Sequence, residues 1–129
     1  MVTIDDLSAA VIEEAIGIHR QIGPGLFESV YEAVLFGRLE ARGLQVERQV
    51  PVGVNLDGTF YDAAFRIDLL VGGRLIVEIK AVDQLSKAHA KQLLTYLRLI
   101  KQPVGLLLNF SGVTMKEGIR RLVNDYKAE

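Results

Sequence analysis

The run Val104-Gly105-Leu106-Leu107-Leu108-Asn109-Phe110 confines the fold of this chain more than any other stretch. A strand with one face in water alternates apolar and polar residues, whereas a nearly continuous apolar run marks a strand covered on both faces. The run sits inside the longest uncharged stretch, Gln102 to Met115, which Pro103 and two glycines interrupt. That stretch is too short to cross a bilayer. At 129 residues the chain has room for one domain, spanning 1–129, built as layers of helix on a sheet.

The flanking sequence supplies those layers. From Asp5 to Ile22, Leu7, Val11, Ile12, Ala15, Ile16 and Ile18 recur at helical spacing, and Gly23-Pro24-Gly25 ends the pattern. A second helical stretch runs from Leu26 to Arg42, with Gly43 as its stop. The period then changes. Leu44 to Val54 alternates and is rich in β-branched residues, and Asn55-Leu56-Asp57-Gly58 reads as a hairpin turn. Phe60 to Val71 and Arg74 to Lys80 are the next two strands, Ser86 caps a helix reaching Ile100, and Lys116 to Tyr126 reads as a short amphipathic helix. The expected order is α-α-β-β-β-α-β-α, a mixed four-stranded α/β sheet flanked by helices. Its last strand joins in parallel through a helical crossover.

Composition removes several chemistries. With no cysteine there is no disulfide, cysteine zinc site, iron–sulfur cluster or thiol nucleophile. Two histidines without close spacing do not make a zinc motif, and Gly23-Pro24-Gly25 follows a helix and lacks the Gly-Lys-Ser/Thr of a phosphate loop. No Gly-x-Ser-x-Gly is present for a serine triad. The acidic pair Asp5-Asp6 stands where a secretory signal would be basic, which points to a cytoplasmic protein without a membrane partner and makes the sequon Asn109-Phe110-Ser111 irrelevant. A formal net charge of −1 gives no bulk attraction to polyanions, so any such partner is held by a local patch.

The hairpin at Gly72-Gly73 brings charges together. A two-residue loop would pair Asp68 with Val77 and Ile67 with Glu78, setting charge against aliphatic throughout. A three-residue loop, Gly72-Gly73-Arg74, gives one apolar face of Val71/Leu75, Leu69/Val77 and Ile67/Ile79, and another of Leu70/Ile76, Asp68/Glu78 and Arg66/Lys80. A one-residue slip exchanges the faces, so the clean separation selects the three-residue loop. Asp68 and Glu78 then oppose each other about 5 Å apart at Cβ, repelling by roughly 3 kcal/mol at an effective dielectric near 20. Either Arg66 and Lys80 compensate in a plain charge ladder or a metal does, and the interior character of the strand favours the metal.

Asp68, then Glu78-Ile79-Lys80 at a strand end, then a helix, resembles the PD-(D/E)XK nuclease motif. Gly25-Leu26-Phe27-Glu28-Ser29-Val30-Tyr31 is similar to the motif that names the GxxExxY family within that superfamily, as are Gln92-Leu93-Leu94-Thr95-Tyr96-Leu97 and Gly105 to Phe110. Ile67 departs from the pattern, standing where the superfamily name has proline. The resemblance implies a restriction-endonuclease-like core that hydrolyses phosphodiesters, with DNA as the substrate. It implies Asp68, Glu78 and the Ile79 carbonyl as ligands of Mg2+ or Mn2+, with Glu28 as an additional helix-borne carboxylate. Lys80 would assist the attacking water, and Gln92 and Tyr96 would lie near the phosphate. Such hard oxygen ligands suit these ions.

Other residues take lesser roles. Lys87 and Lys91 flank the expected site as phosphate contacts, and His89 shares a helical stripe with Gln92 and Tyr96. Glu32 reads as part of a solvated acidic face, Tyr31 as a packing residue, and His19 as a structural hydrogen-bonder. Two further readings stand beside the nuclease: a non-catalytic nuclease-fold module binding nucleic acid or a protein, and a structural protein acting through an oligomer interface. The weak net charge opposes tight duplex binding by a monomer, whereas a homodimer or partner subunit could assemble a longer basic surface.

Overall fold

In a computed structural model of the protein, which describes residues 2–129, Thr3 starts the first helix. Its hydroxyl accepts from the Asp6 N–H while the Asp6 carboxylate accepts from the Thr3 N–H, a closed capping box. The helix, α1 (Ile4–Ile22), buries Leu7, Val11, Ala15 and Ile18 on one stripe. A fully buried aliphatic side chain contributes about 1.5–3 kcal/mol, so this stripe anchors the helix. Helix α2 (Glu28–Ala41) follows, and both lie on one face of the sheet with Leu75, Val77 and Ile79 beneath them.

The sheet has five strands in sequence order: β1 (Val46–Leu56), β2 (Thr59–Val71), β3 (Leu75–Lys80), β4 (Val104–Asn109) and β5 (Ile119–Val123). Strand β4 lies parallel to β3 and is buried along its whole length, as its apolar run requires. The crossover helix α3 (Lys87–Ile100) covers the other face of the sheet, where Leu93 and Leu97 pack on Ile67, Ile76 and Leu107.

Two expectations fail here. Lys116–Tyr126 is not a helix: a 3-10 turn at Lys116–Gly118 leads into β5, antiparallel to β4. The apolar spacing of Ile119, Leu122 and Val123 fits either element, but an interior strand such as β4 cannot leave one edge of backbone donors and acceptors unpaired. Gly118 lies so close to the Asn109 carbonyl that no side chain fits there.

The second failure concerns the ladder. The three-residue loop is correct, with Val71, Leu70 and Leu69 opposite Leu75, Ile76 and Val77. The strands part after Leu69/Val77, however, so Ile67 does not face Ile79 and Arg66 does not face Lys80. Between Leu69 and Ile67 the β1–β2 ribbon rolls over. Val46, Leu69 and Val71 belong to the core under α1 and α2, whereas Val50, Val52, Phe65 and Ile67 pack toward α3. Gln49 marks the turnover, with φ +51 in the left-handed region.

Candidate active site

The site forms where the β2–β3 ladder ends. At that point side chains replace the missing ladder bonds. The Asp68 N–H donates to Glu78 Oε2 at 2.9 Å, and the Ile79 N–H donates to Asp68 Oδ2 at 2.9 Å. Each carboxylate thus caps backbone across the gap; Asp68 and Glu78 are not a ladder pair as the register argument expected, and these side-chain bonds hold the two acids together instead.

Glu78 is buried, at 5% exposure, and its carboxyl is pushed from 4.5 up to about 8. Burial is the main cause and the Asp68 charge adds to it; the Asp68 N–H and the Lys80 ammonium pull the other way without prevailing. Glu78 lies on the α3 side of β3, and α3 brings Tyr96 against it. The Tyr96 ring stacks on Phe65 with centroids 4.1 Å apart. Its hydroxyl is pushed above the usual phenol range by burial and then by the charges of Glu78 and Asp68, while Gln92 opposes this by hydrogen bonding. Asp68, Glu78, Lys80, Gln92 and Tyr96 therefore share one site.

Glu28 approaches from α2. It is exposed, and its Oε1 accepts from the Ala81 N–H at 3.1 Å, the residue after Lys80. Among the described residues no three acidic or histidine side chains converge to enclose a metal ion, so Glu28 does not complete a cage with Asp68 and Glu78. Asn109 fixes the same strand end, with Oδ1 accepting from the Val82 N–H at 3.0 Å and Nδ2 donating to the Val82 carbonyl at 2.9 Å. The sequence reading passed over Asn109 as a site residue, although a polar residue in an apolar run is a visible signal.

Glu32 corrects the sequence reading outright. It is not solvated but 6% exposed, paired with Arg48 at 3.1 Å and accepting from Gln49 Nε2 at 2.6 Å. The strand β1 passes beside α2 there, which the helix sequence alone does not reveal.

The remaining candidates are placed by ordinary structural bonds. His89 Nδ1 accepts from the Ser86 N–H at 3.1 Å, completing the N-terminal capping box of α3. Lys87 and Lys91 are exposed on the first turns of α3 and form no ion pair among the described residues. Tyr31 stacks on Phe110, and its hydroxyl donates to the Gly23 carbonyl at 2.6 Å, holding the Gly23-Pro24-Gly25 turn against α2. His19 Nε2 lies 2.9 Å from the Gly112 carbonyl.

A model of the PD-(D/E)XK nuclease superfamily matches residues 5–122. The chain belongs to that superfamily. The match takes in every element from α1 into β5, and the mixed sheet between α1–α2 and α3 is consistent with a restriction-endonuclease-like fold. Comparison with curated proteins and with solved structures gave no match. Among the described residues no helix is long and apolar enough to cross a membrane.

Proposed function

We propose that the chain is a single metal-dependent nuclease domain of the GxxExxY type, hydrolysing phosphodiester bonds in DNA. The observation that carries this reading is the pair Asp68 and Glu78, locked together by reciprocal backbone bonds with Glu78 raised to about 8. A buried acid opposed to another acid lacks a cation, and hard oxygen donors in that setting fit Mg2+ or Mn2+. Asp68, Glu78 and the Ile79 carbonyl would hold the ion, with Glu28 near the same strand end. When bound, it would act as a Lewis acid on the phosphate and lower the pKa of a bound water.

The chain's own groups do the rest. Lys80 orients the attacking water and offsets charge that builds on the phosphate. Gln92 and the Tyr96 hydroxyl donate to non-bridging phosphate oxygens, and the Phe65 stack keeps the Tyr96 ring in place. Lys87 and Lys91 line the approach along α3 and neutralise flanking phosphates, with the His89 ring beside them as a neutral hydrogen-bond donor through Nε2.

The test is cleavage of labelled single-stranded, duplex and branched DNA, and of RNA, with Mg2+ or Mn2+. Wild type is compared with Asp68→Ala and Lys80→Ala. Metal-dependent cleavage lost in both variants supports the reading. No cleavage of any substrate overturns it in favour of a non-catalytic module binding nucleic acid or protein, a reading favoured by the absence of a third converging acid among the described residues.

A further inference from the structure

Asp68 has one carboxylate oxygen committed to the Ile79 N–H; the other, Oδ1, faces Gln49, whose Nε2 lies 3.4 Å away. Nothing in the superfamily motif accounts for Gln49. In the β1–β2 register Arg48 faces Leu69 and Val50 faces Ile67, so Gln49 should face Asp68, yet that pair is missing from the ladder, well away from the register shift at Val52/Val54. At that position Gln49 takes φ +51, a conformation unfavourable for any residue with a side chain of this size. The surroundings keep it there: the amide donates to Glu32 Oε1 at 2.6 Å, and Arg48 holds Glu32 Oε2 through both Nε and Nη2 at 3.1 Å. Glu32 is fixed in turn by its burial on α2. On the other side, Arg66 Nη1 reaches Gln49 Oε1 at 3.5 Å.

We infer that Gln49, anchored by buried Glu32 and its partner Arg48, is a positioning residue that sets the direction of Asp68 Oδ1 for a divalent cation. The inference rests on the nuclease reading in that it names the cation as the ligand being served. The chemistry is that of an amide N–H orienting a carboxylate whose other oxygen is already fixed. The residues that hold metal ligands in position commonly change affinity tenfold to a hundredfold when removed.

Gln49→Gly separates positioning from structure. Glycine removes the amide, including its bond to Glu32, and also relieves the positive φ, and the second effect offsets much of the first, so the fold is kept. The expected result is Mn2+ binding weakened about tenfold by calorimetry while the circular dichroism spectrum stays native. Gln49→Asn, which tolerates positive φ but is too short to span both acids, weakens binding in the same way. The second readout needs no metal: the side-chain amide NMR signals of Gln49 shift in Asp68→Asn and in Glu32→Gln. Unchanged Mn2+ affinity in Gln49→Gly overturns the inference, as do amide signals insensitive to Asp68→Asn. Wild type that binds no Mn2+ overturns the nuclease reading instead, and the amide signals then decide whether Gln49 couples the two acids.

Discussion

Glu32 and Glu78 are buried to nearly the same degree, at 6% and 5% exposure, yet their surroundings are opposite. Glu32 meets a guanidinium and an amide, one for each oxygen. Glu78 meets another acid, and a single backbone N–H satisfies it. Burial alone therefore does not distinguish a structural acid from a functional one; the charge of the partner does. The first is complete within the chain, whereas the second is held in an arrangement that only a proton or an added cation relieves. The comparison breaks most directly at Asp68. Asp68→Ala is expected to abolish metal-dependent cleavage while the circular dichroism spectrum stays native. Loss of the native spectrum would make Asp68 a structural residue like Glu32.

The next effect is in pH. Glu78 rises from 4.5 in the unfolded chain to about 8 in the folded one, so across that interval the folded protein holds a proton that the unfolded chain has released. Its contribution to stability is then greatest below the unfolded value and falls as pH rises toward about 8. The slope approaches about 1.4 kcal/mol per pH unit, set against the charges of Asp68 and Lys80 and the Tyr96 hydroxyl that face the same group. Denaturant titrations of the metal-free protein between these limits should show this decline, Glu78→Gln should flatten it, and Mg2+ should oppose it. A profile unchanged by Glu78→Gln would remove the contrast with Glu32. Glu32→Ala, by contrast, should destabilise by about 2 kcal/mol, less than for a fully buried pair because Arg48 is partly exposed.

Much of this was legible in the residues. The apolar run Val104–Phe110 places β4, and the register argument at Gly72-Gly73 gives the loop and the first three pairs, because both depend on short-range periodicity; that Asp68 and Glu78 meet through side-chain bonds beyond the last pair was not in that pattern. The terminal strand was hidden because Ile119, Leu122 and Val123 satisfy a helical spacing, and only the open edge of β4 decides between the two elements. The roles of Glu32 and Gln49 were hidden for a similar reason. An ion pair that buries an acid between α2 and β1, and a left-handed residue inside a strand, depend on tertiary approach and leave no local pattern.

The smallest effect concerns the phenol beside the two acids. In Tyr96→Phe the ring and its stack on Phe65 persist, so the thermal midpoint should move little. What is lost is a hydroxyl facing Gln92 and close enough for the Glu78 and Asp68 charges to raise its pKa. A hydrogen bond to an anionic oxygen is worth about 1.5 kcal/mol at the lower end of its range, so cleavage should fall about tenfold, in kcat rather than KM if the bond strengthens as phosphate charge develops. A fall confined to KM would assign Tyr96 to substrate binding alone. A large fall in stability would mean that the Glu78 side of the site, like the Glu32 side, depends on its hydrogen bonds for folding.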